Sequence, residues 1–347
     1  MRAPAYVYGL LLLAVTATSI WHVVGKLALS HGMDASVFLS YRLLLSASLM
    51  LVAGRFVFRI PFVAIKPELI ARTLLIGFFT FVHSICFLYG LQKTTPFLCA
   101  VLQPAVPVLV WLLSVATGSE QSNLRKAIGV ALCSFGAVGA AAASSHHAEQ
   151  DGVKAGADFE TGTILIICSC IFYACHLVFQ QPLLQALPPL QVTGTVYAIA
   201  GSTTLLVTVI RSIFGEEKPY WGLSPDPNAW YALAFCVVFA SAFTHGVYSW
   251  ATKKVAATTV SVFITIEPIT TTIVSLLITQ SGMPSFVEAA CAGVVAVGVM
   301  LVLLGGHAHA EEYELVGKPE EFNLEDAPEI YTKRKRGISA LDASPFS

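Results

Sequence analysis

The stretch "TTVSVFITIEPITTTIVSLL", residues 258–277, decides how this chain must fold. It is apolar and about the 20 residues long that a bilayer-spanning helix needs. Yet Glu267 and Pro268 stand near its middle. A charge at the bilayer centre costs about 2.5–3.5 kcal/mol on insertion scales. Proline removes one backbone donor and obstructs the carbonyl four residues before it. Freed carbonyls at membrane depth are tolerated only against protein or a watery cavity. The pair therefore predicts the wall of a polar cavity, with Glu267 carrying a proton or facing a cationic group. The competing reading is a structural ion pair or a neutral, hydrogen-bonded acid.

Similar apolar runs recur along residues 1–305, separated by short polar breaks. The hydrophobic fraction is 56% and the charged fraction 12%, against about 25% charged residues in soluble domains. Mean hydropathy is +0.72. These values predict an all-α polytopic membrane protein with ten transmembrane helices. The spans fall near 7–29, 35–54, 70–91, 95–117, 124–143, 161–181, 191–214, 229–251, 256–279 and 286–305. The first apolar run continues past "YVYGLLLLAVTATS" through "IWHVVGKLALS", too long for a signal-peptide core, and so reads as an uncleaved helix. All eight cysteines lie within apolar runs, which implies no disulfide framework. Cys168, Cys170 and Cys175 read as packing residues, and neither a metal site nor a cofactor is expected.

Lysine and arginine set the orientation. With a cytoplasmic N-terminus, the inner side receives Arg2, Arg55, Arg59, Lys66, Arg72, Arg125, Lys126, Lys253 and Lys254. The outer side receives Lys93, Lys154, Arg211 and Lys218. An even number of spans then places both termini in the cytoplasm. Residues 306–347 are charged, proline-containing and weakly apolar, and read as a disordered cytoplasmic tail. Its "KRKR" at 333–336 suits anionic lipid or trafficking machinery better than nucleic acid.

The chain also repeats itself. "LYGLQKTTPFLCAVLQPAVPVLVWLL" and "YSWATKKVAATTVSVFITIEPITTTIVSLL" share one pattern, and a shift of 161 residues places Lys93 on Lys254 and Pro107 on Pro268. Gly136 falls opposite Gly298 within one residue of that shift. Residues 1–143 and 161–305 thus read as two five-helix repeats joined by an outer linker, 144–160. Because five is odd, the repeats are inverted. Such repeats place a ligand site near the midplane at their interface.

These residues resemble the EamA-type, ten-helix members of the drug/metabolite transporter superfamily. The resemblance rests on Trp21 leading to Lys26, on "YRLLLSASL" with Arg42, on "YGLQKTTPFLCAVLQPAVPVLV" and "ATKKVAATTVSVFITIEPI", and on the glycine-bearing spans "IGVALCSFGAVG" and "GVVAVGVMLVLL". It covers all but the tail. It implies a bundle that moves a small organic solute, with the third, fourth, eighth and ninth helices lining the path. Secondary active transport by alternating access follows. Proton coupling, import or export, a homodimer and the identity of the membrane all stay open.

On this reading the path residues are Glu267, Arg42, Lys26, His83 and Trp21, with Pro104, Pro107 and Pro268 as helix hinges. Arg42 and Lys26 could hold a carboxylate or phosphate, or could snorkel to headgroups. His83 is the most central of four intramembrane histidines, the others being His22, His176 and His245. A divalent-cation path is the alternative cargo, and one deep acid is few oxygen ligands for it. An enzyme is not expected, since no GxSxG, HExxH or intramembrane aspartate cluster occurs.

Overall fold

The computed structural model describes residues 5–30, 34–60, 62–116, 124–147, 157–215, 219, 221, 227–252, 260, 263–264, 266–278 and 285–316. The described secondary structure is helical. In chain order the helices are α1 (Ala5–Ser30), α2 (Ala35–Val52), α3 (Pro67–Lys93), α4 (Pro96–Leu102), α5 (Ala105–Ala116), α6 (Leu124–His147) and α7 (Ala157–Phe179). There follow α8 (Gln181–Ala186), α9 (Pro189–Phe214), α10 (Pro227–Phe235), α11 (Thr244–Thr252), α12 (Glu267–Ile278) and α13 (Phe286–Val316). Two π-helical stretches, Ala53–Val57 after α2 and Cys236–Phe243 between α10 and α11, interrupt the regular pattern.

Among the described residues, seven helical segments are long and apolar enough to cross a membrane: Tyr6–Leu29, Ala35–Val57, Pro67–Lys93, Pro96–Leu113, Asp158–Ala186, Pro189–Phe214 and Pro227–Ala251. At the positions expected for the fifth, ninth and tenth spans stand α6 and two shorter apolar helices, Glu267–Ile278 and Phe286–Leu301. Parts of the sequence reading lie outside the described residues. They are Arg2, Lys154, Lys218, Lys253 and Lys254 of the charge pattern and repeat, positions 256–259, 261–262, 265 and 279 of the ninth span, the centre of the 144–160 linker and the tail beyond Val316. Residues 306–347 form a unit separate from 1–305. Its described part, to Val316, is helical.

Proline and threonine punctuate the bundle. Pro67, Pro96 and Pro189 each open a helix, where the missing N–H has no intrahelical partner to lose. Thr95 caps α4 by accepting the Leu98 N–H at 3.2 Å. The fourth span breaks at Gln103 and Pro104, and Pro107 sits in the first turn of α5.

Packing is tight where side chains are small. Helix α3 lies along α7 and α9, α2 lies along α9, and α1 runs against the α10–α11 segment and α12. At the α3–α7 crossing, a Cβ on Gly90 would stand 3.0 Å from the Gly162 carbonyl oxygen. A Cβ on Gly162 would stand 3.2 Å from that of Gly90. The α6–α13 seam is reciprocal. A Cβ on Gly136 would meet Cys291 O and Val295 N at 2.9 Å, while one on Gly298 would meet Gly129 O at 2.6 Å and Cys133 N at 2.7 Å. Each glycine touches the counterparts of its own neighbours, at a constant shift of 162 residues. Without a hydrophobic drive between helices in lipid, such close backbone approach supplies the association.

Polar ties join the ends of α1, α2, α3 and α9. Asp34 Oδ1 caps α2, accepting N–H groups of Ser36 at 3.0 Å and Val37 at 3.2 Å. Its Oδ2 pairs with Arg211 at the end of α9, and Arg211 Nη1 donates to Tyr89 Oη at 2.9 Å. Lys26 Nζ donates to the carbonyls of Leu91, Gln92 and Thr94 at 2.9, 2.7 and 2.7 Å, a cationic cap on the C-terminus of α3.

Burial pushes the Asp34 carboxyl upward, but hydrogen bonds from Ser36 and the Val37 amide, with Arg211, outweigh it and hold the group below its ordinary value of 3.8. A carboxylate depressed in the folded state adds stability above its unfolded pKa, and that stability is lost as pH falls through the folded pKa. The thermal midpoint of the wild type is therefore expected to fall on acidification below about pH 4. Asp34→Asn keeps the cap but should show a smaller fall; equal acid sensitivity in both proteins would rule the pair out as its source.

Candidate functional site

A cavity of about 600 Å³, including the part open to solvent, lies within the bundle. Its lining is richer in chemistry than the surrounding apolar core. Trp21 and His22 come from α1, Arg42 from α2, His83 and Phe87 from α3, and Tyr173 from α7. Tyr197 comes from α9, His245 and Tyr248 from α11, and Glu267 from the start of α12. Gln103 reaches it from the α4–α5 break.

Arg42 is 9% exposed and its guanidinium is held on two sides. Its Cζ stands 4.2 Å above the Trp21 ring centroid, and Trp21 is itself stacked on Phe38 at 5.8 Å with ring planes 4° apart. The geometry is that of a cation–π contact, which is stronger in a desolvated setting. Arg42 Nε donates to Ser241 Oγ at 2.8 Å. Ser241 belongs to the π-helical stretch Cys236–Phe243, an irregularity often found at functional sites. This arrangement fixes the plane of the guanidinium. Both terminal nitrogens lack a side-chain or backbone acceptor among the described residues and are free to take a planar oxyanion in two parallel hydrogen bonds.

Glu267 is 3% exposed, and its Oε2 has no hydrogen-bond partner among the described residues. Pro268 follows it, and the chain before it is irregular at Ile266, whose N–H bonds Phe263 O at 3.1 Å. The break frees α12 to begin within the cavity wall. A carboxyl group this buried and unsatisfied is destabilising unless something binds it.

His83 has a defined tautomer. Its Nδ1 lies 3.1 Å from the Ser169 carbonyl oxygen and 2.9 Å from Ser169 Oγ. A carbonyl only accepts, so Nδ1 carries the proton, and in the neutral ring Nε2 is the acceptor. The ring stacks on Tyr173 at 4.6 Å. Tyr173 in turn neighbours His176 at 5.8 Å and His245 at 6.2 Å. His176 is buried outside the lining, with Nδ1 2.9 Å from Thr80 Oγ1.

The structure thus gathers Trp21, Arg42, His83 and Glu267 of the sequence-derived set around one space. Lys26 stands apart, its ammonium engaged by the end of α3. The lining also draws on α1, α2, α7 and α9, more widely than the four helices that the resemblance implies. Gln103, Tyr173, Tyr197 and Tyr248 went unselected in the sequence. Two signals could have found some of them: the (i, i+3) pairs Tyr173–His176 and His245–Tyr248, each placing an aromatic and an imidazole on one helical face in a hydrocarbon setting.

Comparison with known proteins accords with this architecture. The EamA-like transporter family matches residues 5–141 and 160–304. Protein WALLS ARE THIN 1 of Arabidopsis thaliana is 23% identical, covering 93% of this chain and 86% of its own. WAT1-related protein At5g13670, from the same organism, is 21% identical over 83% of this chain and 81% of its own. One solved crystal structure superposes with a TM-score of 0.61 over 87% of this chain and 99% of its own, at 15% identity, a likeness of fold alone.

A buried carboxyl kept for use rather than for stability has a thermal signature. Glu267→Met removes an unsatisfied polar group at similar volume, and the thermal midpoint should rise by a few degrees. A lower midpoint would mean that Glu267 holds the bundle together.

Proposed function

The chain belongs to the EamA-like transporter family, within the drug/metabolite transporter superfamily, and from this premise we propose that it is a secondary active transporter of small organic metabolites. The reading is carried by one observation: a cavity between helices faced by a fixed guanidinium and an unsatisfied carboxyl group. A zwitterionic solute matches that pair, its carboxylate on Arg42 and its cationic group on Glu267. The rings of Trp21, Phe87 and Tyr173 supply an apolar surface for its body.

Transport proceeds by alternating access between two inverted five-helix repeats, in a ten-span chain with both termini cytoplasmic. The reciprocal Gly136 and Gly298 contacts support that symmetry, since a two-fold axis between repeats brings each residue to its counterpart's neighbours. The skew of lysine and arginine supports the orientation. Glu267 and His83 are the groups placed to carry a proton with the solute. A divalent cation is the poorer fit as cargo, because Glu267 is the one carboxylate among the described lining residues, and hard cations prefer several oxygen ligands.

Uptake of a panel of labelled amino acids and other small metabolites, beside a divalent-metal isotope, in vesicles reconstituted with the purified chain tests the cargo. Saturable uptake of an organic solute is expected; uptake of the metal alone would overturn the reading. Glu267→Gln should flatten the pH dependence of that uptake. Unchanged pH dependence at full activity would remove Glu267 from the coupling. Impermeant labelling should reach tags at the C-terminus and within residues 144–160 from opposite faces of the membrane; labelling of both from one face would end the inverted-repeat reading.

A further inference from the structure

The connection between α2 and α3 is not a passive link. After Val52 the helix widens into the π turn Ala53–Val57, closed by Phe58 N–H to Ala53 O at 3.0 Å and Ile60 N–H to Gly54 O at 2.9 Å. Arg59 turns the chain with φ of 52°, a left-handed conformation that non-glycine residues seldom adopt. Gln191, buried in the first turn of α9, then clamps the returning strand of chain from both sides. Its Oε1 accepts Val63 N–H at 3.0 Å, and its Nε2 donates to Val63 O at 2.6 Å.

A segment folded this tightly would in water turn its apolar side chains inward. Here Phe56 is 75% exposed, Phe58 64% and Phe62 56%. Arg55 and Arg59 are interleaved with these rings, and Lys66 and Arg72 follow. None of the four cations pairs with an acid among the described residues, and Glu68 is the one acid between positions 53 and 72. Between this segment and α9 lies a shallow surface cleft, about 200 Å³ when the space open to solvent is counted. Met50, Leu51, Ile60, Phe62 and Leu190 give it apolar walls, and Arg55 is the one charged residue on it.

We propose that this cleft binds a phospholipid with an anionic headgroup. The headgroup phosphate lies on the Arg55 and Arg59 guanidinium groups, which match a phosphate in bidentate fashion. An acyl chain follows the apolar walls toward the bilayer, and the exposed phenylalanines sit at the headgroup boundary, where aromatic rings are favoured. Charge complementarity selects the occupant: unpaired cations beside a hydrocarbon phase attract acidic lipid. The site lies outside the central cavity and stands whether or not the transport reading does.

The test measures the thermal midpoint of the full chain in nanodiscs of phosphatidylcholine, alone or with phosphatidylserine. A third arm adds inorganic phosphate to the phosphatidylcholine discs. A ligand that binds only the folded state raises the midpoint, so phosphatidylserine should raise it by several degrees and inorganic phosphate should not. The double variant Arg55→Gln/Arg59→Gln should lose at least half of that rise, while Lys66→Gln/Arg72→Gln should keep most of it. Equal losses in the two double variants would mean diffuse surface attraction and overturn the cleft. A matching rise with inorganic phosphate would overturn the lipid in favour of a free anion site, and no rise with phosphatidylserine would overturn the proposal outright.

Discussion

A charge inside a hydrocarbon slab must be compensated, and the centre of this molecule is organised by that requirement. Arg42 is compensated by the face of Trp21 and by Ser241, and each of these has its own support. Trp21 is backed by Phe38, and Ser241 is presented by a π-helical stretch where a regular helix would display a different register. Two consecutive helices and a π-helical stretch 199 residues from Arg42 are thereby tied to one guanidinium. Glu267 is the converse: a carboxyl group with one oxygen left without a protein partner among the described residues, at the point where proline has already broken the helix. The guanidinium is held and the carboxyl group is left available. That contrast gives the cavity its chemical direction.

Helices of the bundle can approach closely where glycine lines their crossings. At α3–α7 and at α6–α13 an added methyl group would meet backbone atoms directly. Larger residues there would widen the bundle and weaken the van der Waals contacts that hold helices together in lipid. At the end of the bundle where α1 and α3 finish and α2 begins, the ties are polar. Lys26 satisfies three carbonyls that the end of α3 leaves open, and Arg211 joins Asp34 and Tyr89. Lys26 therefore serves the scaffold while Arg42, also a basic residue of the first two helices, faces the cavity.

The sequence pointed to Glu267, Arg42, His83 and Trp21 by one physical rule, that polar or amphipathic groups deep in apolar runs need a reason to be there. The rule applies equally to Lys26, and it cannot tell a side chain aimed at a cavity from one that reaches a neighbouring helix end. It also passes over tyrosine, whose ring is at ease in an apolar run, so Tyr173, Tyr197 and Tyr248 carried no signal alone. Gln103 became visible only through the break at Pro104, which turns its side chain toward the cavity.

What the sequence by itself determined was the medium and the material. Composition and long apolar runs required helices in a membrane, because a helix satisfies its backbone groups within its own segment and a run of about 20 apolar residues is the length one needs to span. The order of its motifs carried the resemblance to a transporter family. What only the tertiary structure decided was which of the polar residues meet. Helical periodicity fixes the face on which a side chain stands, but the partner of that face is set by how helices far apart in sequence cross. It took such crossings to bring Ser241 against the Arg42 that lies over Trp21, and to leave Oε2 of Glu267 without a partner among the described residues.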